Sequence, residues 1–492
     1  MTSEALSAAE VPAVAPSDAR NAARNNLVIS VLLVSTFVVM LNETAMSVAI
    51  PKLMDALGVS ASAAQWLTTS FLLTMAVVIP ITGFLLQRLN TRPIFVLAMT
   101  LFSVGTLIAA LSPGLPLLIV GRVVQAAGTA IMMPLLMTTV MTLVPPDQRG
   151  KMMGNISIVM SVAPAIGPAA AGIILNYLEW RWLFIIVLPI ALGALYLGWR
   201  MMVNVTTPRF APLDILSVIM SALAFGGVVY GLSSFGEAAE GQLVSPWAAL
   251  GVGVVVMVVF VWRQIILARG DRALLDLRTL KARNYTISMA MIAVLMLAMF
   301  GTIILLPIYL ASIQHFEVLN IGLLMLPGSL LMGLLGPFVG RLYDKVGPTP
   351  LVVPAMGLVV VVLWAMTLLG VDTPWPYILA GHIVMSLGFA FLFGPLFTAS
   401  LSSVPPQLYS HGSALLGSIQ QVAGAAGVAL FVAIMSAQTA ALVASGTPEI
   451  EALADGIRIA FIVGASISLL AFFASFFVRK PPAQEGGWGG GH

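Results

Sequence analysis

Glu43 is the acid that this sequence sets furthest inside an apolar stretch, Thr36-Phe-Val-Val-Met-Leu-Asn-Glu-Thr-Ala-Met46. An ionisable group at such a depth is costly, and burial favours its neutral form, so Glu43 has the chemistry to take up and release a proton as its access to water alternates. The competing reading is a carboxylate in a polar pocket near a helix end. Arg122 lies in a second apolar stretch, and Gln125, one turn along on nearly the same face, points to a polar cluster there. Asn42 and the paired Gln420 and Gln421 are neutral polar groups that can face a cavity. Met46, Trp66, Phe71, Tyr309 and Phe397 offer an adaptable apolar wall for a bound molecule, with ordinary packing as the alternative for each. Other chemistry is excluded by type or spacing. Cys is absent, so no disulfide, thiolate ligand or redox pair exists, and the four His are too scattered for a metal site. No Gly-Lys-Ser/Thr phosphate loop occurs. Neither a cofactor nor ATP is implied, which leaves an ion gradient as the energy source.

The elements that position these residues must be membrane helices. Hydrophobic residues make up 60% of the chain and charged residues only 8%, against roughly 25% charged in an ordinary soluble domain, so most of the surface must meet lipid. Windows of about 20 apolar residues, the length that crosses a bilayer core, recur fourteen times. They fall at 27–50, 64–86, 94–112, 115–143, 151–175, 182–202, 212–233, 246–267, 285–311, 320–340, 350–369, 376–402, 412–436 and 457–478. The basic residues orient them: 18 of the 22 Lys and Arg fall on one side, Lys52, Arg181 and Arg458 on the other, and Arg122 in or near a helix. By the positive-inside rule both termini are then cytoplasmic, in a multi-pass protein of a bacterial inner membrane. The net charge of +3, spread along the chain, argues against a nucleic-acid partner. Residues 1–26 lack the basic-then-apolar order of a cleaved signal and read as a disordered tail, as does 479–492.

The sequence also repeats itself at an offset of 257 to 260 residues. Pro80-Ile-Thr-Gly83 aligns with Pro337-Phe-Val-Gly340, Gly121 and Gly128 with Gly381 and Gly388, and Val144-Pro-Pro with Val404-Pro-Pro. Two six-helix bundles at 27–202 and 284–478 are therefore expected, related by a parallel duplication, with two inserted helices and a basic linker at 203–283. Such halves rock about a site at their interface. The segments after spans 2 and 10 carry small residues and charges: Gly83, Arg88 and Arg92 in the first half, Gly340, Asp344 and Lys345 in the second. Glycine permits close helix approach and the charges can hold a helix end, so these segments are expected to form an inter-half latch. In span 5, Pro164, Gly167 and Pro168 permit a kink and a close neighbour. Asp214 reads as a helix N-terminal residue rather than a coupling site.

The sequence resembles the major facilitator superfamily over 27–478, in particular its fourteen-helix drug:proton antiporter branch of the EmrB/QacA type, and within it the lincomycin-resistance-like subgroup. The marks are Leu41-Asn-Glu-Thr-Ala-Met-Ser-Val-Ala-Ile-Pro51, Gly121-Arg-Val-Val-Gln-Ala-Ala-Gly128, Pro164-Ala-Ile-Gly-Pro-Ala-Ala-Ala-Gly172 and Trp180-Arg-Trp-Leu-Phe184. The resemblance implies an all-α membrane fold of fourteen helices, working as a monomer and exporting small amphipathic molecules by alternating access against a proton flow. Arg122 matches the family's arginine, which leaves three roles open: proton relay, holding Glu43, or holding a backbone carbonyl. Asn42 stands where many relatives have Asp, so the acid is displaced by one residue, about 100° around a helix, to Glu43. Gln87 stands where the loop usually has Asp. A lipid or native-metabolite exporter uses the same fold, and a non-transporting membrane receptor or enzyme is the reading from another class.

Overall fold

The computed structural model describes residues 16–205, 208, 214–234 and 244–480. It contains fourteen helices long and apolar enough to cross a membrane among these residues. They are α1 (Pro16–Leu57), α2 (Ala61–Arg88), α3 (Thr91–Ala110), α4 (Leu115–Leu143), α5 (Arg149–Tyr177), α6 (Trp182–Met201), α7 (Ile215–Ser233), α8 (Pro246–Ala268), α9 (Arg283–Ser312), α10 (Val318–Val346), α11 (Thr349–Met366), α12 (Trp375–Ser402), α13 (Tyr409–Ala444) and α14 (Glu449–Ser475). All fourteen expected spans are present, and their ends differ where polar residues continue a helix past the hydrocarbon. The start of α1 at Pro16 takes in part of the expected 1–26 tail; the rest of that segment, and 481–492, lie outside the described residues. The connection between α13 and α14 shrinks to four residues. A hydropathy window stops at the last apolar residue, whereas a helix stops at a breaker, here Gly446 at φ 93° followed by Pro448.

The duplication is visible in the packing. In the first half α3 lies against α4 and α6, α1 against α5 and α6, and α2 against α4; in the second, α13 lies against α9 and α14, α10 against α12, and α11 against α12 and α14. The repeated Val-Pro-Pro segments both make a short 3-10 turn, Pro146–Gln148 before α5 and Pro406–Leu408 before α13. Helices α7 and α8 pack on one another, and α7 seats on α2 and α13. A fork from Arg263 to Asp214, at 2.8 and 2.9 Å, ties the inserted pair together, and Gln264 accepts from the backbone N–H of Leu274 and Leu275, fixing the linker to α8. Asp214 therefore sits at the start of α7, as expected, with its charge matched by Arg263.

The halves meet along α5–α10 and α2–α13, which the duplication makes equivalent pairs, and through α4–α13 and α5–α12. The hydrogen bonds joining them cluster at the Lys/Arg-rich end, where α5 and α13 begin and α2 and α10 finish. Thr138 and Ser413 share a buried hydrogen bond of 2.8 Å, Gln87 donates to the Gln407 carbonyl at 3.2 Å, and Asp344 accepts from the start of α5. At this end the halves are closed upon each other.

Candidate functional site

Arg122 is only 1% exposed, and its environment accounts for how so apolar a helix carries it. Its Nη1 donates to Gln125 Oε1 at 2.6 Å and to Asn42 Oδ1 at 3.4 Å, its Nε reaches the Leu67 carbonyl at 3.4 Å, and the guanidinium lies 4.1 Å from the Phe71 ring centroid. Gln125 in turn donates to Thr106 Oγ1 at 2.8 Å. Four helices thus converge on one cation, and the planar fork is what allows one side chain to satisfy acceptors on α1, α2 and α4 together. Of the three roles open to Arg122, holding a backbone carbonyl is directly seen; no ion pair within 4 Å joins it to Glu43.

Glu43 follows Asn42 on α1 and points elsewhere, into a small cavity of ≈ 50 Å³ walled by Met40, Met75, Ile79, Met132 and Met133. Thr36, two turns earlier on the same face of α1, also lines it, and its hydroxyl, 1% exposed, has no hydrogen-bond partner. From the other side, α5 presses on the turn of α1 that bears the acid. A Cβ at Gly167 would come within 2.8 Å of the Leu41 carbonyl and would also strike the Thr44 hydroxyl, so the helix containing Pro164, Gly167 and Pro168 seats there only because glycine is present. The span 5 motif and the span 1 acid are one piece of structure.

The second half preserves the frame of this site without its charge. His382 stands 260 residues after Arg122, and its Nε2 is 3.1 Å from the carbonyl of Met325, which is 258 residues after Leu67. The carbonyl contact is repeated, but Gly301 stands 258 residues after Glu43, so the acid is not.

At the closed end, Asp344 accepts from the backbone N–H of Gly150 at 2.7 Å and of Lys151 at 2.8 Å. These are two of the four N–H groups that a helix start leaves without internal partners. Gly340 lies against the Gly150 backbone, and Gly83 lies against Ala414 and His411 in the equivalent α2–α13 contact. Arg92 is not part of this seam. Its backbone N–H bonds Asn204, and its guanidinium lies 6.0 Å from the Trp199 ring on α6. Arg88 rests over Phe84 of its own helix, and Lys345 is exposed at the end of α10.

Several expected cavity residues are engaged elsewhere. Tyr309 is fully buried and donates to the Gly370 carbonyl at 2.6 Å, bracing the connection between α11 and α12. Trp66 stacks on Tyr230 of α7 at 6.0 Å, and Met46 packs in a separate apolar cluster with Leu53, Leu67 and Phe184. Phe397 is core. Gln420 turns its amide back to the Leu416 carbonyl, while Gln421 lies one turn beyond Gly417, the α13 residue that touches the Glu43 cavity. Thr36, Thr106 and Gly417 were not singled out in the sequence, although the seven-residue spacing of Thr36 from Glu43 was readable as one helix face.

A duplicated pair of six-helix bundles with an inserted helix pair is the architecture of a membrane transporter, and the chain belongs to the major facilitator superfamily, whose model matches residues 32–428. It is 39% identical over 458 residues to the lincomycin resistance protein LmrB of Listeria monocytogenes, covering 92% of this chain and 96% of that one. It is 35% identical to the LmrB of Bacillus subtilis, covering 91% and 95%. Among solved structures it resembles the human organic anion transporter MFSD10 at a TM-score of 0.64 and 15% identity, over 92% of this chain and 99% of that one. It also resembles the proton:xylose symporter XylE at 0.61 and 14%, over 94% and 97%.

Proposed function

We propose that this protein is a proton-coupled exporter of small amphipathic molecules, including lincosamide-like antibiotics, that works as a monomer by alternating access with both termini in the cytoplasm. The observation that carries the reading is Glu43: a carboxyl group deep in an apolar span, facing a cavity of its own beside a neutral-acceptor cage around Arg122. An acid without a permanent cationic partner can exist in both protonation states, which a coupling group requires. The cage keeps Arg122 satisfied whether or not Glu43 is charged, so Arg122 biases the site electrostatically while Glu43 exchanges the proton. Gln421, one turn beyond Gly417 on α13, is the second-half candidate for meeting cargo, and Asn42 and Gln125 serve the cage first. The names of the relatives support antibiotic export, and the bias of Lys and Arg supports the orientation.

The test is reconstitution in liposomes with an internal pH dye, adding lincosamides, cationic drugs and lipid analogues. Drug-triggered proton movement that disappears in Glu43→Gln is expected. Flux that is pH-independent and survives the substitution overturns proton coupling through Glu43, and transport of lipid analogues alone identifies a lipid exporter.

A further inference from the structure

Eleven of the twelve residues around the Glu43 cavity belong to α1, α2 and α4 of the first half, and the twelfth, Gly417, comes from α13 of the second. The fit there is close, since a Cβ at Gly417 would stand 3.1 Å from Ile79 Cγ2, and Ile79 itself lines the cavity. One turn nearer the closed end, Ser413 bonds Thr138 at 2.8 Å and lies 3.4 Å from the Pro134 carbonyl, with Pro134 again a cavity residue. Among the described residues the second half therefore touches this cavity at a single point, immediately beside a hydrogen bond that crosses the seam. The cavity's ≈ 50 Å³ exceeds the space that one water needs, and besides the acid it offers the partnerless Thr36 hydroxyl.

We propose that Gly417 is a lid on the Glu43 cavity: the backbone of α13 closes it when the seam at the Lys/Arg-rich end is shut, and withdrawal of α13 opens it to water from that side. This rests on the reading of Glu43 as the coupling acid and explains how rocking of the halves decides when the acid meets solvent. Glycine suits the lid because a Cβ there would stand 3.1 Å from Ile79 Cγ2, so its absence lets α13 close on α2 while leaving room beneath for a hydrated carboxyl. Thr36 provides a second polar partner for water between the acid and the opening. Separation of the halves then exposes the proton site in the same movement that opens the substrate path, with no additional moving part.

The absence of Cys makes the test free of background labelling. Thr36→Cys is introduced alone, with Gly417→Leu, and with Thr138→Val and Ser413→Ala together, a combination that loosens the lid without adding bulk. Each protein is exposed to a small charged thiol reagent applied to the Lys/Arg-rich side. Thr36→Cys alone is expected to react slowly, and either background to raise the rate at least about tenfold, as expected when a minor open state becomes dominant. A proton leak without substrate should accompany it in the Gly417→Leu protein with Thr36 intact. Rapid labelling of Thr36→Cys alone, or unchanged labelling in both backgrounds when melting temperatures stay within a few degrees, overturns the lid. If labelling rises as expected but Glu43→Gln neither stops the leak nor alters drug-driven proton flux, the lid stands and the assignment of Glu43 falls.

Discussion

Among the described residues Asp344 is the one carboxylate that bridges the two halves, and its removal should change how often they part. Its two oxygens accept from the Gly150 and Lys151 N–H groups at 2.7 and 2.8 Å, a charge-assisted pair placed at the start of a long helix, where negative charge is also favoured by the helix dipole. A hydrogen bond to a charged group contributes about 1.5–3 kcal/mol, but Asp344 is only half-buried and competing water reduces this, so the pair together is worth roughly 2 kcal/mol. Asp344→Ala should then shift the closed-to-open ratio at this end about thirtyfold, and Asp344→Asn, which keeps one acceptor without the charge, about fivefold at roughly 1 kcal/mol. Spin labels on Gln148→Cys and Arg341→Cys, both at exposed positions on opposite sides of the seam, report the ratio as a distance distribution in this cysteine-free chain. The reasoning fails if Asp344→Ala leaves the distribution unchanged, or if Asp344→Asn opens the seam as far as Asp344→Ala does.

Arg122→Lys should reduce drug-driven flux at least about tenfold, because one ammonium cannot reach Asn42, Gln125 and the Leu67 carbonyl at once and each buried polar group left without a partner costs about 1–3 kcal/mol; uptake into vesicles measures it, and near-normal flux would refute the cage. Tyr309→Phe should leave transport of every substrate unchanged and lower the melting temperature slightly, since its hydroxyl braces a connection between helices; an altered substrate range would return Tyr309 to the cavity. Asp214 has its carboxyl held below the usual carboxylate range, first by the hydrogen bond from Arg263. A depressed carboxylate stabilises the fold above its unfolded value near 3.9 and loses that contribution as pH falls through the folded value, so melting of Asp214→Asn should lie below wild type by a constant amount from about pH 5 to 8. A difference that varies across that window would contradict the assignment.

The architecture was legible because a bilayer imposes a length on every apolar segment and the duplication sets matching breakers in order. The span 5 motif likewise predicted a close helix neighbour, and Gly167 has one. Legibility failed where a role depends on direction. Tyr309 and Trp66 have the side chains of a binding wall, yet one hydroxyl finds a loop carbonyl and one ring finds Tyr230, and no spacing along the chain encodes which partner a large amphipathic side chain meets. Arg92 shares a short polar segment with Gly83 but turns toward α6. Gly417 was invisible for the opposite reason: its importance comes from the space beneath it, formed by helices some 280 to 380 residues earlier in the chain.

The two halves have kept the same frame and divided the chemistry. Arg122 and His382 each reach a carbonyl on the neighbouring helix, but only the first half has an acid nearby; Gln87 and Asp344, at equivalent places, bridge the seam as a neutral amide and a carboxylate, and Arg149 of the first half reaches Ser402 across it at 3.5 Å. On the proposed reading of Glu43, the proton site lies in one bundle and the bridging carboxylate in the other, with α13 touching both the seam and the cavity. A symmetric pair of acids would let either half bind a proton without regard to the other. If Glu43 carries the proton and Gly417 covers it, as proposed, a proton enters or leaves only through a movement of both halves, which is the condition for coupling proton flow to the rocking that carries cargo.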